Sequence, residues 1–200
     1  MNKTLNSLYR KDIDGLRAVS IIAVLINHFN KQVLPSGYLG VDIFFVISGF
    51  VITSSLSKKS WKNFSEFILS FYEKRLKRIL PALIIYLSLT SIFITLLNDD
   101  PTISLRTGIF SLFGISNIYL FKQSTYYFGQ ASELNPFLQT WSLGVEEQFY
   151  LIFPFLFWFT RNKKIKLNFG IVIIFLATIS FLLFAGYYKI NISATYFLLP

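Results

Sequence analysis

The sequence predicts an all-α fold, a polytopic bundle of transmembrane helices. Hydrophobic residues make up 54% of the 200 and charged residues only 14%, well below the ~25% charged content of a soluble domain. The apolar residues gather into six runs near the ~20 residues that cross a bilayer as a helix. They cover 15–34, 38–57, 79–97, 103–121, 142–160 and 168–188. Nineteen Lys and Arg residues against ten Asp and Glu sit mainly in the connections between runs rather than on one soluble surface. That pattern argues against nucleic acid as a partner and for a lipid bilayer.

Some chemistry is excluded by composition. Cysteine is absent, which removes disulfides and thiolate catalysis, and a single histidine, His28, rules out a multi-histidine metal site. A metal would need carboxylates alone, and none is expected.

In the first run, GLRAVSIIAVLINHF, Arg17 and His28 stand eleven residues apart. At ~100° per residue this spacing returns to within ~20° of the same helix face, with a rise of about 16 Å. Ionisable groups at such depth cost roughly 2.5–3.5 kcal/mol and point to function by default. Asp14 has the i,i+3 spacing to pair with Arg17 at the cytoplasmic end, near Asp12. A neutral His28 suits general base work near neutrality. A structural histidine bonded to a neighbouring helix, with Arg17 snorkelling to the headgroups, is the competing reading. Lys3, Arg10 and Lys11 before the run imitate a signal peptide, but Arg17, Asn27 and His28 interrupt it and no A-x-A-like site follows.

The second run begins SGYLGVDIFFVISGF. Gly37, Gly40 and Gly49 permit close helix approach, Asp42 is a further intramembrane carboxylate, and Ser48 can hydrogen-bond across helices. Ser48 lacks the strand-turn-helix setting of a serine nucleophile.

The connection 58–78 carries Lys58, Lys59, Lys62, Lys74, Arg75, Lys77 and Arg78 against Glu66 and Glu73. The positive-inside rule places it in the cytoplasm, with the basic N-terminus on the same side. Within FYEKRLKRILP, beside Glu73, Arg75 and Arg78 present planar forks of donors suited to phosphate. The simpler alternative is a topological anchor.

The third run delivers Asn98, Asp99, Asp100 and Pro101 to the outer side. The fourth is interrupted by Arg106, Gly108 and Gly114. If it spans, the basic run Arg161, Lys163, Lys164 and Lys166 faces outward against the rule. If it is re-entrant, the preferred reading, that run returns to the cytoplasm and a polar interior is implied. The fifth, WSLGVEEQFYLIFP from Trp141, sets Glu146, Glu147 and Gln148 inside a span. Successive side chains point ~100° apart, so the two carboxylates cannot both face one cavity. One is free to orient His28 and the other to pair with an arginine; ion pairs with Arg17 or Arg106 would use both. The chain stops at YFLLP, after the sixth run and without a polar tail. Residues 1–200 are therefore expected to be the N-terminal part of a longer transmembrane domain.

Four of these stretches, in this order, resemble the acyltransferase 3 family of membrane O-acyltransferases. They are YRKDIDGLRAVSIIAVLINH with its R-x10-H pattern at Arg17 and His28, GYLGVDIFFVISGF, the R-x-x-R at Arg75 and Arg78, and ELNPFLQTWSLGVEEQFYLIFP. The resemblance implies a domain of roughly ten spans in a bacterial inner membrane. It also implies acyl transfer, usually of acetyl, from cytoplasmic acetyl-CoA to a hydroxyl of a surface carbohydrate or glycolipid such as lipopolysaccharide. His28 would act as base with Glu146 or Glu147, and Arg17, Arg75 and Arg78 would serve the donor. Asp14, Asp42, Ser48 and Trp141 would support the site. A periplasmic SGNH-type domain follows in some members. Two other classes use the same buried charges: a transporter or exporter, and a non-catalytic membrane partner.

Overall fold

Small residues at the start of the second apolar run bring two helices into contact. The computed structural model describes residues 10–124, 134–161 and 168–198, and the chain divides into two compact units, Met1–Ser60 and Trp61–Pro200. In the first, α1 (Lys11–Phe29) and α2 (Gly40–Ser57) are joined through a 3-10 turn, Pro35–Leu39. A Cβ on Gly40 would strike the Ser20 carbonyl and lie 2.8 Å from Val24 Cγ2; one on Gly37 would strike the Ala23 carbonyl and lie 2.7 Å from Asn27 Cβ. Asn27 Nδ2 donates to the carbonyls of Leu34 (2.9 Å) and Pro35 (3.2 Å), pinning the connection. Gly49 departs from expectation, since nothing lies within 4 Å of a Cβ there. Gly40→Val should therefore lower the detergent melting temperature, with overpacking costing about 1–3 kcal/mol. Gly49→Ala should leave it unchanged, and equal melting of the Gly40 variant and the parent would refute the close seam.

The second unit is built on α3 (Phe64–Leu97). Its start is capped reciprocally: the Asn63 side chain accepts from the Glu66 N–H (2.8 Å), and the Glu66 carboxylate accepts from the Lys62 N–H (3.1 Å). The basic connection is thus mostly helix. Phe67 and Phe71 are buried along one stripe, and Phe67 stacks on Phe157 at 6.2 Å, while Glu73, Lys74, Lys77 and Arg78 stay exposed. Thirty-four residues rise about 51 Å, more than the ~30 Å hydrocarbon core, so the charged turns extend beyond it.

The remaining helices are α4 (Thr102–Leu112), α5 (Ser116–Ser124), α6 (Thr140–Arg161), α7 (Phe169–Tyr187) and α8 (Ile192–Leu198). No strand occurs among the described residues, in keeping with the all-α expectation. Further along α3, its residues Leu83, Leu87 and Ile94 bury Phe137 from the turn before α6. Tyr86 clamps that turn, donating to the Pro136 carbonyl (2.7 Å) and accepting from Gln139 Nε2 (2.5 Å).

The fourth run is two half-helices rather than one. α4 and α5 rise about 17 and 14 Å, neither enough to cross a bilayer alone. Gly114 makes the break with φ +65°. The N–H groups of Ile115 and Gly114 return to the carbonyls of Phe110 (3.1 Å) and Ser111 (3.2 Å), a Schellman ending that favours glycine. Arg106 and Gly108 lie inside α4 and do not interrupt it.

Among the described residues, three segments are long and apolar enough to cross a membrane: Pro35–Ser57, Phe64–Leu97 and Phe169–Tyr187. α1 and α6, at 19 and 22 residues, have comparable length. Their hydropathy is lowered by Asp12, Asp14, Arg17, Asn27 and His28 in one and by Glu146, Glu147 and Gln148 in the other, and Asp14, Arg17, His28, Glu146 and Glu147 are among the candidate site residues of the sequence. The basic run 163–166 lies outside the described residues.

Candidate active site

In the second unit, α3, the α4–α5 turn and α6 enclose a cavity of about 220 Å³. Tyr72 and Arg75 reach it from α3, Gly114 from the turn, and Glu147, Gln148 and Tyr150 from α6. The structure therefore brings together one member of the R-x-x-R pair and one of the two consecutive carboxylates.

Arg75 is half-buried, its guanidinium carbon 5.5 Å from the Phe71 ring centre and 5.2 Å from that of Tyr150. Phe71 belongs to the preceding turn of α3 and Tyr150 to α6, so the cation is held in place by aromatic faces from two helices. Tyr72 fixes the same junction by donating its hydroxyl to the Tyr150 carbonyl (3.2 Å). Arg78, one turn on, is exposed and lies outside the cavity lining. Glu73, grouped with the arginines by sequence, pairs with Lys77 at 2.5 Å.

The carboxylates separate as their ~100° offset requires. Glu146 accepts the hydroxyl hydrogen of Tyr150, one turn along α6. Glu147 lines the cavity and has no hydrogen-bond or ion-pair partner among the described residues. Beneath it is Gly114, where a Cβ would run into the Glu147 carboxylate. Gln148 secures the turn, donating to the Gly114 carbonyl (3.3 Å) and to Asn117 Oδ1 (2.8 Å). Asn117 Nδ2 in turn donates to the Phe197 carbonyl of α8 (3.2 Å). A second polar seam ties α4 to the start of α6. Asn135 Nδ2 donates to Thr107 Oγ1, and Ser111 Oγ to Thr140 Oγ1, each at 2.7 Å.

Sequence reasoning missed Asn117, Tyr72 and Tyr150. Gly-Ile-Ser-Asn after an apolar run carries a stop-and-restart signal for helices, but nothing local shows that Asn117 joins α5, α6 and α8. Trp141 does not reach the cavity; its ring packs 4.7 Å from that of Tyr196 and 6.3 Å from that of Phe197.

The first unit holds the other predicted residues. Arg17 and His28 lie on the uninterrupted helix α1. Arg17 Nη1 is 3.7 Å from Asp14, while its Nε and Nη2 are buried without partners. Asp12 is engaged by Arg10, whose guanidinium holds the Asp12 carboxyl down at about 2, so Asp14 alone remains for Arg17. His28 is exposed in the last turn. Ser48 is buried on α2, with its hydroxyl unpartnered rather than bonded across helices. Asp42 is exposed in the first turn of α2, where negative charge suits the helix dipole. Two buried guanidinium nitrogens and a buried hydroxyl with open valences are places where a polar ligand would replace water.

The chain is 37% identical to O-acetyltransferase OatA of Staphylococcus aureus over 164 residues, 82% of this chain and 27% of that protein. It is 39% identical to a putative O-acetyltransferase of Staphylococcus aureus over 190 residues, 92% of this chain and 30% of the relative. The chain thus spans less than a third of the length of these relatives. No solved structure matches it. The acyltransferase domain family, acyltransferase 3, matches residues 10–199, nearly the whole of the chain that carries Arg17, His28, Arg75 and Glu147, and the chain belongs to that family of multi-pass membrane proteins.

Proposed function

We propose that the protein transfers an acyl group, acetyl in the first instance, from acyl-CoA to a hydroxyl of a cell-surface carbohydrate or glycolipid. It does so as the N-terminal part of a transmembrane acyltransferase domain in the bacterial plasma membrane, with its own N-terminus in the cytoplasm. The observation that carries this is the 37–39% identity to O-acetyltransferases over 82–92% of the chain.

The acceptor oxygen attacks the thioester carbonyl as His28 takes its proton. The new C–O ester bond forms, the C–S bond breaks, and coenzyme A leaves as a thiolate that is then protonated. Glu147 is the carboxylate that assists, since Glu146 is committed to the Tyr150 hydroxyl. Arg17 balances charge or holds the donor. Asp14 orients Arg17, while Asp42, Ser48 and Trp141 are supporting residues.

Arg75 is the phosphate ligand of the donor. A charge-assisted hydrogen bond contributes roughly 1.5–3 kcal/mol, so Arg75→Ala should raise the apparent KM for acetyl-CoA by at least about tenfold. Arg78→Ala, at an exposed position, should change it far less. Equal shifts in both would return phosphate binding to the pair, and no shift in either would make the pair a topological anchor. The reaction itself is tested by incubating membranes that carry the protein with radiolabelled acetyl-CoA. Label should enter a glycan, and its absence from all glycan fractions would overturn the proposal.

A further inference from the structure

Among the described residues of the first unit, the buried side-chain nitrogens and oxygens without a hydrogen-bond partner are Arg17 Nε, Arg17 Nη2 and Ser48 Oγ. The open hydroxyl sets Ser48 apart from Ser20 and Thr53, each of which donates back to a carbonyl of its own helix at 2.7 Å. Ser48 is only 5% exposed, and a polar group sealed from solvent calls for a partner. On Arg17, Nε and Nη2 form one edge of the guanidinium, a fork of two parallel N–H groups. Asp14 stands at Nη1, 3.7 Å away, and leaves that edge free.

The helix seam brings these groups together. Its close approaches, Gly40 to Ser20 and Gly37 to Ala23, run antiparallel, three residues back on α2 for three forward on α1. Continued from Gly40, that register carries Ser48 opposite the first turn of α1, where Asp14 meets the Arg17 guanidinium. At ~100° per residue Arg17 lies about 60° round α1 from Ser20, and Ser48 about 80° round α2 from Gly40. In an antiparallel pair those two rotations lead to the same side of the seam.

We infer that Arg17 and Ser48 form an oxyanion site that takes a phosphate monoester, the fork holding two oxygens and the Ser48 hydroxyl donating to a third. A carboxylate or a phosphodiester has only two terminal oxygens, both taken by the fork. His28, about 16 Å further along α1, is too distant to share the site. Coenzyme A carries one phosphate monoester, on its ribose, and phosphatidic acid carries one as a lipid head group. The first source rests on the acyl-CoA reading above; the site itself does not.

The purified protein in detergent is titrated with four ligands, and apparent affinities are read from the rise in melting temperature. Coenzyme A is compared with 3′-dephospho-coenzyme A, and phosphatidic acid with phosphatidylglycerol, an anionic diester. The parent should prefer the monoester at least about tenfold in one of the two pairs, the effect of a hydrogen bond to a charged group, and that pair identifies the source. Ser48→Ala and Arg17→Lys should each reduce this preference severalfold, since lysine keeps the charge but loses the fork. Ser20→Ala, at a buried hydroxyl already committed to the Leu16 carbonyl, should retain it. Without ligand, Ser48→Ala should melt no lower than the parent, because the hydroxyl it removes has no partner.

No preference in either pair overturns the site, as does a preference that survives in Ser48→Ala or is lost equally in Ser20→Ala. A lower ligand-free melting temperature for Ser48→Ala overturns the open hydroxyl. A parent that prefers coenzyme A over its dephospho form yet transfers no acyl group refutes the proposed function and leaves the site standing.

Discussion

His28→Ala is expected to abolish acyl transfer while the protein still accumulates in the membrane. The expected loss is at least about 100-fold, the lower end of what a positioned general base contributes. His28 is exposed in the last turn of α1, so its removal leaves no core cavity and no unpaired buried partner. Stability should change by no more than ~0.5 kcal/mol. This separates catalysis from helix glue, since a histidine that tethers helices would lower the detergent melting temperature along with activity. His28→Gln provides a further check, because glutamine retains a hydrogen-bonding side chain but cannot accept a proton at neutral pH. Acetylation is measured on membranes at matched protein levels. Parental activity in His28→Gln would remove proton transfer from the role of this residue.

The features that were legible in the sequence are those set by local period and composition. The positions of α2, α6 and α7 follow from apolar runs, and the divergence of Glu146 and Glu147 follows from ~100° per residue. Which of the two meets the cavity does not, because that depends on how α6 is turned against α3 and the Gly114 turn. Arg75 and Arg78 are equivalent as a spacing, yet Phe71 and Tyr150 cover only Arg75, and Tyr150 comes from 75 positions away. The interrupted fourth run was visible in Arg106, Gly108 and Gly114 together. Only Gly114 has the left-handed backbone that ends a helix, whereas Gly108 sits within α4 with Phe137 Cε2 3.2 Å from where its Cβ would be. The Asn117 contacts link positions 31 and 80 apart, and no local signal carries that information. Basic charge obscured the start of α3, whose buried stripe of Phe67 and Phe71 has helical spacing.

Gly114→Ala should be nearly as damaging to acyl transfer as loss of the Glu147 carboxylate, roughly 100-fold, for two separable reasons. An alanine at φ +65° pays about 1–2 kcal/mol in a left-handed backbone. Its Cβ would also occupy the space of the Glu147 carboxylate, and that side chain, lacking a partner, is the group that moves. The backbone cost falls on stability and the displacement falls on activity. Gly114→Asn divides them, because asparagine tolerates the left-handed region but carries the same Cβ. It should melt close to the parent and yet transfer poorly. In Gly114→Ala combined with Glu147→Ala the clash with the carboxylate is gone, though the Cβ at 147 still lies 3.0 Å from the added one, so melting should match that of Gly114→Ala while transfer stays lost. The measurements are detergent melting temperature and glycan acetylation. Full transfer by Gly114→Asn would show that transfer does not need the Glu147 carboxylate where it stands, and Glu147 would lose its place in the mechanism.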